Sequence, residues 1–184
     1  MTDASGNNLD VVISEAALRE RVAALGLQIS SDYQDRGVHC VGVLENCFIF
    51  LADLVREIQC EVRCQFIKPY PREIVDRIVD GNVTTTEIFY APEVEVAGRH
   101  ILLCDGILSS GQTTDFLVRN FQARGAASVA VCGLLDRTSA RRVHLSVAYS
   151  GFEVGPEWFA GYGLGSPGLD RNLPYIFAAP ALRD

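Results

Sequence analysis

Lysine is almost missing from this chain: fifteen of its sixteen basic residues are Arg, and Lys68 stands alone. Chemistry that needs a lysine amine has almost nowhere to sit. Long hydrophobic runs are absent too. None reaches the roughly 18–20 residues that span a bilayer, which excludes a membrane-spanning helix. The opening stretch Met1–Asp10 is polar and acidic and does not read as a secretory signal. Positive charge is short: 16 bases face 23 acids, a formal net charge of −7, which argues against a nucleic-acid partner. Internal repeats, low-complexity tracts and Pro/Gly/Ser linkers are all lacking. Six cysteines are present, but Cys60 and Cys64 have no second Cys or His pair at zinc-like spacing. Cys40, Cys47, Cys104 and Cys132 lie in apolar runs, where a thiol behaves as a small hydrophobe. The expectation is a reduced, cytoplasmic protein. What is there suffices for one core: 184 residues, 48% apolar and 21% charged, rule out wholesale disorder.

After a tail of about twelve residues, Ser14 precedes the stripe Leu18, Val22, Leu25 and reads as the cap of an amphipathic helix closed by Gly26, with a second short helix through Tyr33. His39–Leu44 suits a buried strand, and Asn46–Ile58 a helix that is apolar nearly all round. Glu61–Lys68 alternates as a strand. Pro69-Tyr70-Pro71 breaks it, and the stretch to about Pro92 reads as a weakly structured excursion or a mobile hairpin. Ile101–Cys104 is the clearest buried strand. It is followed by a Gly/Ser loop and a helix from Gln112 to Arg124 whose inner face is Thr113, Phe116, Leu117 and Phe121. Ser128–Leu135 and His144–Tyr149 complete the strands. This alternation points to an α/β fold, a mainly parallel sheet flanked by helices. Ligands of such sheets bind beyond the carboxyl ends of the strands, so Glu45–Asn46, Asp105–Thr113 and Asp136–Arg137 should meet in one cleft. His39, His100 and His144 sit at strand edges without a catalytic partner in sequence, which assigns each a satisfied structural role.

The loop Asp105–Thr113 carries the chemistry. It joins a strand to a helix through small residues, so its backbone N–H groups can face a ligand, and a helix N-terminus favours an anion. Ser109, Ser110 and Thr113 add hydroxyls. The spacing Gly106-x4-Gly111-Gln112-Thr113 matches a phosphate-binding P-loop except that Gln112 stands where the lysine belongs, which weakens that reading.

Five ordered blocks, spread from about Val22 to Ala179, resemble the type I phosphoribosyltransferases and, among them, the hypoxanthine-guanine phosphoribosyltransferases. Val43–Phe50 is similar to V-L-K-G-A-F-x-F. Ile101–Thr113 is similar to L-I-V-E-D-I-I-D-T-G-x-T, and Leu134–Arg137 to L-L-D-K. Gly151–Leu164 resembles G-F-E-I-P-x-x-F-V-V-G-Y-G-L-D, and Arg171–Ile176 matches R-N-L-P-Y-I. The resemblance implies a single domain over about residues 13–184 behind a flexible tail 1–12, with a hood from about 13–35 and 150–184. It also implies the family's reaction: transfer of ribose 5-phosphate from phosphoribosyl pyrophosphate (PRPP) to N9 of a 6-oxopurine, with Mg²⁺ on the pyrophosphate, in a homodimer or homotetramer.

Carried over position by position, the resemblance assigns the 5′-phosphate to Ser109, Ser110, Gly111, Gln112 and Thr113. The purine falls to Arg137, Trp158 and Phe159, with Arg137 replacing a lysine that donates to the 6-oxo group. The pyrophosphate falls to Leu44, Glu45, Asn46 and Arg171, and the catalytic groups are Asp105, Ser109 and Tyr70. Several of these positions depart from the pattern. The family's catalytic Asp is Ser109, its Glu-Asp pair is Asp105-Gly106, its metal ligand after G-Y-G-L is Gly165, and its Leu-Lys-Gly is Leu44-Glu45-Asn46. Asp105 is the one acid left for a metal. These losses fall on the metal–pyrophosphate half of the substrate and spare the nucleotide half. Two expectations follow: a purine-salvage transferase with impaired or altered catalysis, or a degenerate member that binds IMP or GMP as a sensor.

Overall fold

A computed structural model describes residues 10–78, 81–89, 94–165 and 169–179. Five parallel strands form the central sheet in the order β3-β2-β6-β7-β8. They are β2 (Val38–Val43), β3 (Val62–Ile67), β6 (His100–Leu108), β7 (Ser128–Asp136) and β8 (Tyr149–Glu153). Strands β2 and β6 are apolar almost throughout because helices cover both sheet faces. Helices α1 (Glu15–Tyr33) and α2 (Phe48–Glu57) close one face around Leu18, Leu25, Ile29, Phe50 and Leu54. Helix α3 (Gln112–Ala123) closes the other with Leu117 and Phe121 against Val41, Leu103, Val94 and Val96. A second sheet, β1-β10-β9 (Asp10–Ile13, Ile176–Ala179, Trp158–Ala160), joins the two chain ends. Thus residues 10–12 of the expected tail pair as a strand. Strands β4 (Tyr70–Ile78) and β5 (Gly81–Phe89) pair antiparallel as the hairpin that was one of two expectations for that stretch.

Three sequence expectations change. Helix α1 does not stop at Gly26 but runs on to Tyr33, burying Leu18, Val22, Leu25, Ile29 and Tyr33 along one stripe. Ser14 is its cap, accepting from Ala17 N at 3.2 Å. Gly26 serves a close approach: a Cβ there would lie 2.4 Å from Glu57 Cβ and 2.9 Å from the Glu57 backbone. Two hydrogen bonds bind the same crossing, Ser30 Oγ donating to Gly26 O at 2.6 Å and accepting from Gln59 N at 2.9 Å. Helix α1 also belongs to the main layer, since Arg21 donates to Ser150 O and Gly151 O of β8. The inner face of α3 is Thr114, Leu117 and Phe121, while Phe116 is exposed. The last strand begins at Tyr149, where the apolar stretch from His144 was expected to end.

Gly26→Val should therefore lower stability by about 1–3 kcal/mol. Overpacking against backbone outweighs the few tenths gained in helix propensity. Urea unfolding monitored by circular dichroism reads this as a lower midpoint at unchanged slope.

Candidate active site

The carboxyl edge of the sheet gathers the three predicted segments. After β2, Leu44 N donates to Ile67 O at 2.8 Å, the Leu44–Glu45 peptide is cis, and Cys47 opens α2 without a side-chain cap or an acid in its first turn. The Asn46 carbonyl sits so close to β6 that a Cβ on Gly106 would be 2.2 Å from it. Only glycine fits there, which fixes the β2–α2 loop against the end of β6.

The β6–α3 turn follows. Ser109 and Ser110 bend away from the strand, and Gly111 adopts φ 79° as the N-cap of α3. That conformation suits glycine, and a Cβ would also meet Val143 at 3.2 Å. Ser110 Oγ accepts from Gln112 N at 3.4 Å. The side chains of Ser109, Ser110 and Thr113 are partly exposed, and α3 starts after Gly111, which has no side chain to cap it. Such a start carries unpaired N–H donors and partial positive charge.

Register then places Arg137, one of the residues expected at the purine, beside this turn. Leu108 pairs with Asp136, and Arg137 N donates to Leu108 O at 2.9 Å. Arg137 folds back onto the segment ahead of β9, with Nε donating to Gly155 O at 2.9 Å and Nη2 to Glu157 O, its guanidinium carbon 5.9 Å from the Phe159 ring centre. Its Nη1 has no partner among the described residues. Trp158 is 54% exposed although it lies in a strand. An exposed indole offers a ring face on which a flat ligand can stack.

Sequence reasoning missed Arg141. Its Nη1 donates to Ser109 O at 2.6 Å, and its Nη2 pairs with Asp136 Oδ1. Both side chains are nearly buried, at 15% and 9% exposure. Arg142 N adds a bond to Ser110 O at 3.0 Å. The pair Arg141-Arg142 holds the turn by its carbonyls. The available signal was two adjacent arginines shortly after a strand end, but their target is 32 positions upstream.

The expected pyrophosphate groups face one another. Arg171 Nη1 donates to Asn46 Oδ1 at 2.9 Å and Gly163 O at 2.5 Å, and Nη2 to Gly165 O at 2.7 Å with Glu45 Oε2 at 3.6 Å. Arg171 Nε is buried without an acceptor. Glu45 pairs with Lys68 at 2.6 Å, and that ammonium holds its carboxyl below the usual range, with Arg171 adding to the effect. The anion introduced at position 45 is thus answered by the sole lysine. The Tyr70 side chain lies outside what the structure describes. A cavity of about 430 Å³ between α1, α2 and the Asn172–Pro174 segment contains none of the expected site residues.

Residues 14–166 match the family model described as "Phosphoribosyl transferase domain". The chain belongs to the phosphoribosyltransferase family. It is 34% identical over 168 residues to the hypoxanthine-guanine phosphoribosyltransferase of Bacillus subtilis, covering 90% of each chain. A crystal structure of a hypoxanthine-guanine phosphoribosyltransferase (hpt-2) from Bacillus anthracis superposes with TM-score 0.79 at 31% identity, covering 93% of this chain and 98% of the other. A hypoxanthine phosphoribosyltransferase from Staphylococcus aureus gives TM-score 0.83 at 25% identity, covering 98% and 96%. These likenesses span nearly the whole phosphoribosyltransferase chain. Among its described residues no helix is long and apolar enough to cross a membrane.

Against the Mg²⁺ implied for this family, the donor set is thin. Among the described residues no three His, Cys, Asp or Glu side chains cluster to hold a metal. Gly165 offers no side chain, Glu45 is committed to Lys68, and Asp105 is pushed up to about 7, chiefly by burial. A hard cation needs ionised or well-placed oxygens, so the chain's own residues do not fit a protein-held magnesium ion. The same burial of Asp105 sets a pH dependence. Its folded pKa is raised, so between about pH 4 and 7 the folded chain holds the extra proton and this group's contribution to stability falls as pH rises. Asp105→Asn should flatten that slope and make the protein more stable than wild type above pH 7. Thermal melts from pH 4 to 8 check it, and an unchanged slope would contradict it.

Proposed function

We propose that this phosphoribosyltransferase transfers ribose 5-phosphate from PRPP to N9 of hypoxanthine or guanine, with catalysis slowed by the loss of its proton acceptor. The observation that supports the reading most is the direct backbone bond between Leu108 and Arg137, which sets the turn after β6 beside Arg137. In this reading the turn's N–H groups and the hydroxyls of Ser109, Ser110 and Thr113 grip the 5′-phosphate. Trp158 stacks on the base, and the unengaged Arg137 Nη1 donates to the 6-oxo group. Ser109 cannot take a proton near neutral pH, so positioning and charge stabilisation carry the rate. Magnesium enters on the substrate's pyrophosphate rather than as a protein-held ion. The test is an assay with PRPP, Mg²⁺ and hypoxanthine or guanine. Slow, enzyme-dependent formation of IMP or GMP supports the reading, and no product at high enzyme concentration contradicts it.

A second reading, a sensor for IMP or GMP, is favoured by one observation. Arg171, the cation expected on pyrophosphate, spends its Nη donors on Asn46, Gly163 and Gly165. Calorimetry separates the two. A sensor binds IMP or GMP in the micromolar range without Mg²⁺ and PRPP weakly, whereas tight Mg²⁺-dependent PRPP binding supports the transferase.

A further inference from the structure

At the opposite end of the sheet, the amino ends of β2, β3 and β6 surround a cavity of about 80 Å³ lined by Arg36, His39, Glu61, Arg63, Arg99 and His100. His39 is 5% exposed, and its ring nitrogens make no well-formed hydrogen bond, with only the Gln65 amide in reach, which falls short of the satisfied role expected from the sequence. Arg99 Nε is buried there without an acceptor. Three of the four unpartnered buried side-chain atoms among the described residues therefore belong to residues lining one small cavity. Native proteins leave few such atoms, and a cluster of them marks a place where another molecule completes the bonding.

We propose that this cavity is a binding site for a small phosphate-type oxyanion, separate from the nucleotide site. Charge favours it: three arginines line the space, and the acids nearby are Glu61, 3.9 Å from Arg63 Nε, and Glu95, 3.3 Å from Arg99 Nη2. Arg36 is placed by its bond to Asp32 O at 2.8 Å and by the Tyr33 ring 5.0 Å away. Size favours it as well. Pockets for nucleotides and drug-sized molecules run to about 300–1,000 Å³, so this space suits a single tetrahedral ion. Hydrogen bonding narrows the chemistry. A neutral imidazole turns its donor and its acceptor to opposite sides, so a monohydrogen phosphate answers one ring nitrogen while accepting from Arg99 Nε. In the free protein burial lowers the His39 pKa, with Arg63 and Arg99 pushing the same way and the nearby Gln65 amide and Glu95 opposing them. A bound dianion would raise it.

The three histidines make the test direct. His39 and His100 line the cavity, with His100 Nδ1 2.8 Å from Ser128 Oγ, while His144 lies between Val143 and Leu145, which pack near Gly111 in the β6–α3 turn. Imidazole resonances are followed by NMR as inorganic phosphate is titrated to millimolar concentration at constant ionic strength held with chloride. The expected result is a shared saturable shift of His39 and His100 and a raised His39 titration midpoint. Any response of His144 follows its own curve and reports the turn. Arg63→Gln/Arg99→Gln should abolish the His39 and His100 shifts and leave His144 as in wild type. Unmoved His39 and His100 resonances, or equal shifts in the double variant, would overturn the site without touching the proposed transferase. The wild-type titration decides the matter alone if the double variant does not fold.

Discussion

Replacing Ser109 by aspartate accelerates transfer from PRPP to hypoxanthine or guanine by about 10²–10⁴-fold, the usual value of a positioned acid–base group. Ser109 begins the bend after β6, and its carbonyl is held by Arg141 Nη1 at 2.6 Å, so a longer side chain inherits a fixed starting point. A serine hydroxyl cannot hold a proton drawn from a purine near pH 7, whereas a carboxylate can. The gain should appear in kcat, while KM for PRPP rises, because the Ser109 hydroxyl contact to the 5′-phosphate is exchanged for a carboxylate. Steady-state kinetics of the variant beside wild type is the measurement. An unchanged kcat would mean that the missing acceptor is not what limits the site, and would favour the sensor reading.

Arg141→Met is expected to cost about 3–5 kcal/mol, because it strands Asp136, which is 9% exposed, without its cation. For a chain of this size that is a melting temperature lower by about 6–20 °C. Loss of the bond to Ser109 O also loosens the turn, so GMP affinity falls about tenfold, worth ~1.4 kcal/mol. Removing both charges in Arg141→Met/Asp136→Leu should recover part of the stability but not the affinity, since no new group reaches the Ser109 carbonyl. That split between melting temperature and affinity separates a clamp on the turn from a mere core ion pair. Equal recovery of both would contradict the clamp.

Local signals were legible in the sequence. The run Ile101–Cys104, the small residues through Gly111 and the periodic helix beyond gave strand, turn and helix in the right places, and the strand ends converge as parallel topology requires. What was illegible depends on partners distant in the chain. Gly26 looks like a helix terminator because a C-cap glycine and a close-approach glycine are the same letter, and only Glu57 tells them apart. Phe116 seemed a core residue because it is large and apolar, yet Thr114 is the one that faces inward. Arg141 acts on Ser109, and His39 faces Arg99, pairings that no local pattern announces. The departures at Glu45, Ser109 and Gly165 were visible at once, but Lys68 answering Glu45 needed coordinates.

Trp158 is the sequence's single tryptophan, so its emission reports on the start of β9 alone. The most direct measurement is a titration of that emission with GMP and with guanosine, each in EDTA and then in Mg²⁺. If the turn after β6 still grips a 5′-phosphate without help from a metal, GMP gives a saturable change in the micromolar range, the same in both buffers, and guanosine binds far more weakly. Guanosine binding as tightly as GMP, or a GMP response that needs Mg²⁺, would contradict it.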